Sequence, residues 1–219
     1  MGRLAIIQSI YFFNRFKIKK RDFGTEKSIK NCLTWFCGQN TSEMLDQYCP
    51  TRDVFEGRLS KIPAYLQKNA KFDEGEAFLL TAVLGEIGNN CFDHNLGHWK
   101  DQPGTYFGYG LDKKNFIVCV ADRGRGILKS LQAVHPQFTD EQEALDAAFS
   151  RKISGRFPEK RGNGLKFDRQ AINCEASRGL WCQSGSGKIK FGKLANTAAS
   201  VGHNSSTVGV GTITVIVWS

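Results

Sequence analysis

The chain has 219 residues and a formal net charge of +9, from 30 Lys and Arg against 21 Asp and Glu. Hydrophobic residues make up 41% of the sequence, which excludes a disordered or fibrous protein. The length fits one domain with an appendage or two small domains. The apolar run near the N-terminus falls short of the ~20 residues of a membrane-spanning helix, and it lacks a signal-peptide cleavage site. The seven cysteines favour reduced thiols, so we expect a cytoplasmic protein.

The charge is unevenly distributed along the chain. Residues 1–30 hold eight basic and two acidic side chains, whereas residues 71–150 hold seven basic and twelve acidic ones. Residues 151–219 hold eleven basic and three acidic side chains. Two basic blocks therefore flank an acidic middle. This balance favours a nucleic acid, an acidic surface or a phosphate ligand and does not choose among them, although we expect no membrane partner.

The N-terminal third carries weak patterns. Residues 28–36 are compatible with a helix. Residues 58–71 are predicted to form one because Leu59, Ile62 and Leu66 recur at helical spacing. We assign residues 1–70 to a mainly helical N-terminal extension of unknown role.

From residue 72 onward the predicted elements are clear. Apolar residues at three- and four-residue steps predict a buried amphipathic helix over residues 73–93. Two apolar runs separated by a polar turn predict a hairpin, and a capping box at Thr139 predicts a helix to Phe149. Helices followed by consecutive antiparallel strands predict an α+β fold, a two-layer sandwich over residues 71–219. The other predicted elements are the hairpin strands 105–111 and 115–121, a helix over 164–176, and strands over 179–183, 188–191 and 210–218.

The first polar motif is Glu86-Ile87-Gly88-Asn89-Asn90, followed by Asp93. Glu86 and Asn90 are four residues apart, so a helix places both on one face, with Asp93 on the same side. Carboxylate and carboxamide groups that face a cleft can hold a divalent cation or orient a nucleophile. A solvated polar face of the helix is the ordinary alternative.

Two glycine motifs follow. Asp122-Arg123-Gly124-Arg125-Gly126 comes directly after a predicted strand, so a fixed acceptor precedes backbone that can approach a ligand closely. Gly162-Asn163-Gly164-Leu165 opens a predicted helix, whose N-terminal amides favour a phosphate group. The ordinary alternatives are an Asp-Gly turn and a helix start with solvated basic residues.

In their order and context these motifs resemble the GHKL superfamily of gyrase-type topoisomerases, heat-shock chaperones, sensor histidine kinases and MutL. Residues 86–90 with Asp93 resemble its N-box, and the two glycine motifs resemble its glycine boxes. Gly211-Thr212 resembles the Gly-Thr that opens the late strand of the family. The resemblance covers residues 72–219 and implies a histidine-kinase-like, Bergerat-type ATP-binding domain.

The resemblance also implies roles for individual residues. Asp122 would accept a hydrogen bond from the adenine amino group, with Thr212 assisting. Asn90 would ligate Mg²⁺, Glu86 would be the general base, and Asp93 would be a secondary polar contact near the nucleotide. Residues 127–161 would form a lid that closes over the phosphates. The glycine boxes would supply the remaining nucleotide contacts, namely Gly124, Gly126, Gly162, Asn163, Gly164 and Leu165.

The function that the resemblance implies is a regulatory protein that binds ATP and Mg²⁺ and either hydrolyses ATP or phosphorylates a protein partner. An autophosphorylating sensor kinase is not expected, because none of the four histidines has the context of a phosphoacceptor. A non-catalytic ATP-dependent switch is the second hypothesis, motivated by the long lid. Nucleic-acid binding through the basic and aromatic residues 3–21 is the third. We expect a protein partner that the sequence does not identify, and the sequence is also compatible with a homodimer.

Two clusters of metal-ligand residue types need separate mention: Cys91, Asp93, His94 and His98, and Cys32, Cys37 and Cys49. Neither has the paired Cys-x-x-Cys spacing of a structural zinc site. Packed thiols and a polar helix end are therefore favoured over a zinc site.

Overall fold

The computed structural model describes residues 23–39, 46–151, 153, 164–202 and 211–219. The basic N-terminal residues 3–21, Gly162 and Asn163 lie outside this described part. The helices are α1 (Phe23–Phe36), α2 (Arg52–Leu59), α3 (Ile62–Ala70), α4 (Glu74–Asp93), α5 (Gly126–Gln132), α6 (Glu141–Ser150), α7 (Gly164–Asn173) and α8 (Ala195–Gly202). The strands are β1 (Tyr48–Cys49), β2 (Thr105–Asp112), β3 (Asn115–Asp122), β4 (Arg178–Ser184), β5 (Gly187–Phe191) and β6 (Thr212–Trp218).

The strands form one antiparallel sheet in the order β1-β2-β3-β6-β4-β5. The predicted β2–β3 hairpin is present, and the C-terminal β6 lies between β3 and β4. In this register Ala121 pairs with Ile213, and Ser184 pairs with Thr212. The end of β3, the start of β6 and the end of β4 therefore meet at one edge of the sheet.

Helices pack on the sheet and bury its apolar side chains. On one face a hydrophobic cluster joins α2, α3, α4, α6 and α7 to β3, β4 and β6, with Leu84, Val120 and Ile172 among its members. On the opposite face α1 and α8 cover the sheet through Trp35 and Ala198. The predicted α+β sandwich is confirmed, and α1 and α8 add helical cover to its second face.

The α4 helix follows its predicted bounds closely because its local signals agree. Asp73 caps the N-terminus by accepting a hydrogen bond from the Glu76 backbone amide at 2.8 Å, and Glu74 and Glu76 lie in the first turn, where they suit the helix dipole. Its inward face is apolar along its full length, as Leu80, Leu84, Ile87 and Cys91 show. This burial fixes which face of α4 carries the polar motif.

The structure corrects three of the predicted helices, while the predicted strands differ from the observed ones by one or two residues at their ends. The single helix predicted over residues 58–71 is two helices, α2 and α3, because Pro63 lies in the first turn of α3 and has no amide hydrogen to continue an earlier helix. The N-cap of α6 is Asp140 rather than Thr139, since the Asp140 carboxylate accepts from the Glu143 amide at 2.8 Å. The helix predicted over 164–176 ends at Asn173.

Residues 46–70 share the core of the domain that follows them. Cys49, Phe55, Ile62 and Leu66 belong to the same hydrophobic cluster as α4. The ring of Phe55 packs over Gly88, where a Cβ atom would lie 2.0 Å from the ring. The missing side chain at Gly88 thus allows α2 to seat directly on the helix that carries the polar motif.

The described part of the predicted lid is ordered into α5 and α6. Leu131 and Phe138 pack with Ala144 and Ala147 in a small cluster distinct from the two main ones. Within the described residues, no helix has the length and apolar character that crossing a membrane requires.

Candidate functional site

A cleft of about 490 Å³ lies between α4, α5, α6, the start of α7 and the sheet edge. Cavities that hold small ligands occupy this size range. The structure brings most of the predicted site residues to this one cleft: Glu86, Asn90, Asp93, Asp122, Gly126, Gly164, Leu165 and Thr212. Gly124 is buried beside the cleft, and Gly162 and Asn163 lie outside the described residues.

Asp122 ends β3 and is 3% exposed. Its Oδ1 accepts hydrogen bonds from the Gly124 amide at 2.8 Å and from Nδ2 of Asn95 at 3.0 Å. Burial raises the pKa of Asp122 to about 6, although these hydrogen bonds oppose the rise. Side chains alternate along a strand, so Asp122 faces the same side of the sheet as Val120 and projects toward α4.

Asn95 is a buried member of the site that sequence reasoning missed. Its Nδ2 donates to Asp122 and to the Cys91 carbonyl, and its Oδ1 accepts from the Arg125 amide at 3.0 Å. A Cβ atom on Gly124 would lie 1.9 Å from the Asn95 side chain, so glycine is required there for the two to pack. The signal available in the sequence was a polar residue two positions after Asp93, where the long helix ends.

Ser184 connects the first glycine motif to β6. Its Oγ accepts a hydrogen bond from the Ile127 amide at 2.8 Å and from Thr212 Oγ1 at 3.3 Å. Gly126 has φ +77°, a left-handed conformation that favours glycine, and it turns the chain from β3 into α5. The Thr212 backbone amide also donates a hydrogen bond to the Asp122 carboxylate, so Thr212 and Asp122 belong to one hydrogen-bonded edge of the cleft.

The opposite end of the cleft is formed by Glu86 and Gly164. A Cβ atom on Gly164 would lie 2.1 Å from Glu86 Oε2, so the Glu86 carboxylate rests against the first residue of α7. The neighbouring Asn89 also lines the cleft, and its buried Oδ1 has no hydrogen-bond partner among the residues that the structure describes. An unpaired acceptor in the wall of the cleft is available to a ligand.

Asp168 lies one turn into α7 and is fully buried. Within the described part of the chain, neither of its carboxylate oxygens has a hydrogen-bond partner. Burial raises the pKa of Asp168 well above its ordinary value, and the Glu86 carboxylate raises it further. No sequence pattern marked this residue, because an acidic residue in a polar helix normally faces solvent.

The far side of α4 contributes an ion pair and a lid contact. The Arg52 guanidinium donates to the Asp93 carboxylate, and both residues line the cleft. His94 Nδ1 and Ser130 Oγ of α5 are 2.8 Å apart, which joins the C-terminal end of α4 to α5. Among the described residues, no group of three or more His, Cys, Asp or Glu side chains is arranged to hold a metal ion.

Arg123, between the site residues Asp122 and Gly124, points away from the cleft. Its guanidinium lies 4.3 Å from the ring centroid of Trp35 and donates through Nε to the Trp35 carbonyl at 2.6 Å. It also pairs with Asp101 at 2.8 Å. The first glycine motif is therefore tied to α1 on the second face of the sheet.

Known proteins show little similarity to this chain. No known family profile matches the sequence, and no curated protein matches it. One solved structure that it resembles is the histidine kinase domain from Erythrobacter litoralis EL346 blue-light activated histidine kinase. The two share 13% sequence identity over 98% of this chain and 82% of that chain, with a TM-score of 0.36. At this level of similarity we infer no function from that protein and rely on the cleft itself.

Proposed function

We propose that this protein is a GHKL-type regulatory protein that binds Mg-ATP and either hydrolyses ATP or phosphorylates a protein partner. The observation that carries the proposal is that residues from four motifs, which extend along the chain from Glu86 to Thr212, line one cleft. The Asp122 carboxylate, a hydrogen-bond acceptor, lies at the sheet edge. The Glu86 carboxylate lies against Gly164 at the start of α7, at the opposite end of the cleft. This order suits a ligand with a base at one end and phosphates at the other.

At the sheet edge, Asp122 is suited to accept a hydrogen bond from the exocyclic amino group of adenine. Two donors hold its Oδ1 in place, so little side-chain entropy is lost when a ligand binds. Thr212 lies beside it and assists. Val120, Cys182 and Leu131 supply apolar walls of the kind that a purine ring requires.

At the other end, Glu86 is the proposed general base. Its carboxylate, held against Gly164, would take the proton from an attacking water or protein hydroxyl. The carboxamides of Asn89 and Asn90 line the adjacent wall, and oxygen ligands of this type fit Mg²⁺, with Asn90 as the proposed ligand. Bound Mg²⁺ would neutralise phosphate charge. The residues of the chain then act by positioning, which is most of what phosphoryl transfer requires.

Calorimetry with ATP tests the binding part of this proposal. Wild type is expected to bind ATP more tightly with Mg²⁺ than with a chelator, and Asp122→Asn is expected to weaken binding about tenfold or more. Asp46→Asn, on an exposed turn, is the matched control. Phosphate release by wild type and Glu86→Ala tests catalysis. No ATP binding by wild type would refute the proposal, and binding without turnover would leave only a binding protein.

A non-catalytic ATP-dependent switch is a second candidate. It is favoured by the position of α5 and α6, which line the cleft and pack on each other through Leu131 and Ala144, so a ligand in the cleft contacts this pair of helices directly. Hydrogen exchange of residues 127–150 with and without ATP tests it. Slower exchange in that segment with ATP bound is expected, and an unchanged rate would argue against a switch.

A further inference from the structure

Arg52 brings a positive charge into the cleft from the segment assigned to the N-terminal extension. It is the first residue of α2 and lines the cleft together with residues of the polar motif. Its side chain is 41% exposed, so its donor groups remain accessible to a ligand. Nothing in the sequence motifs marks it, since it lies 34 positions before Glu86.

Two contacts hold Arg52 where it is. Thr51 caps α2 by accepting a hydrogen bond from the Val54 amide, and Phe55, one turn after Arg52, packs into the notch at Gly88. The guanidinium itself is paired with Asp93, whose side chain is only 18% exposed. The cap of α2, the packing of the Phe55 ring on Gly88 and the ion pair with Asp93 therefore fix the position of Arg52 relative to α4.

The other charged side chains in the wall of the cleft make the location of Arg52 important for binding an anion. Among the described residues that line the cleft, Arg52 is the only Lys or Arg, whereas Glu86, Asp93 and Asp122 are all acidic. An anionic ligand entering this cleft meets three carboxylates at close range, and such like-charge contacts oppose binding. A fixed cation on the wall offsets part of that repulsion.

We infer that Arg52 is a phosphate-binding residue of the proposed nucleotide site and that Asp93 holds its guanidinium in position. A guanidinium carries five N–H donors in a planar fork, so it can donate to Asp93 with one edge and to a phosphate oxygen with the remaining donors. This inference rests on the proposed function. It gives part of the N-terminal extension a role in the site.

The test compares ATP with adenosine, which carries the same base and sugar without the phosphates. Dissociation constants are measured for both ligands with wild type, Arg52→Gln and Arg52→Lys. Arg52→Gln is expected to weaken ATP binding about tenfold and to leave adenosine within about twofold, because only the phosphates meet the guanidinium. Arg52→Lys is expected to recover part of the loss, since it keeps the charge without the fork.

Lys61→Gln is the matched control, because it removes one positive charge from an exposed site in the same segment. It is expected to leave both dissociation constants unchanged. Equal ATP binding by wild type and Arg52→Gln would overturn the inference while leaving the proposed function intact. Equal loss for ATP and adenosine would overturn it too, since Arg52 would then only position α4. Failure of wild type to bind ATP would remove the proposed function along with the inference.

Discussion

Gly164 of α7 lies directly against the Glu86 side chain of α4, at a distance that leaves no room for a Cβ atom. Such an atom would be 2.1 Å from Glu86 Oε2. Two motifs that are far apart in the chain thus determine each other's geometry. The second glycine motif positions the proposed base in addition to any contact that it makes with a ligand.

Gly164→Ala is expected to reduce turnover by about ten- to a hundredfold, because the added methyl group displaces the Glu86 carboxylate from its position. Steady-state phosphate release from Mg-ATP measures this loss. Gly57→Ala, on an exposed face of α2 where a Cβ atom would meet nothing within 4 Å, is the control and is expected to keep full activity. Unchanged turnover in Gly164→Ala would contradict the positioning role.

ATP affinity is expected to fall as the pH is lowered through about 6. Asp122 has its pKa raised to about 6, and only its ionised form accepts hydrogen bonds with both oxygens. The ionised fraction falls about tenfold between pH 7 and pH 5, and the affinity should fall with it. Calorimetry across this range measures the change. The dependence should be smaller in Asp122→Asn, and an identical pH profile in that variant would assign it to another group.

Asp168→Asn is expected to stabilise the protein at neutral pH by about 1–3 kcal/mol, because the carboxamide needs no proton to stay neutral when buried, whereas the carboxyl group must be kept protonated. The folded pKa of Asp168 is raised above its unfolded value of roughly 3.9, so the folded state binds the proton more tightly. The contribution of Asp168 to the wild-type free energy of unfolding should therefore be most favourable at low pH. It should decline as the pH rises from about 4 through the folded pKa.

Urea unfolding of wild type and Asp168→Asn at several pH values measures this difference. The two free energies of unfolding should converge at low pH and separate as the pH rises. Asp46→Asn, on an exposed turn, should follow the wild-type curve. A constant difference between wild type and Asp168→Asn across the whole range would contradict the proton linkage.

Arg123→Ala is expected to lower the free energy of unfolding by about 2–4 kcal/mol. It removes a buried stack on Trp35 and one of the two hydrogen bonds that the Trp35 carbonyl accepts, since the Gly38 amide still donates to it at 2.9 Å. Denaturant titration gives the size of the effect, and Lys114→Ala in the exposed β2–β3 turn is the control. A loss below about 0.5 kcal/mol would mean that the contact between α1 and the first glycine motif contributes little.

Much of the α+β fold follows from local patterns. The apolar period of α4, the β-branched run of β6 and the polar turn between β2 and β3 predict their elements because each depends on neighbouring residues. The same patterns did not predict β1 or α8. The two residues of β1 carry too short a pattern, and α8 consists mainly of small residues with a weak apolar signal.

The sequence by itself was enough to predict α4, β3 and α7 and to mark the polar and glycine motifs that they carry. Each of these motifs lies within a short segment of clear periodicity. Only the tertiary structure decided which other residues join them. Arg52 reaches the cleft because Phe55 fits over Gly88, and Asn95 reaches Asp122 because Gly124 leaves space for it. Asp168 is buried because α7 packs against α4 beside Glu86. These contacts join residues distant in the chain, and no local pattern of charge or hydrophobicity encodes them.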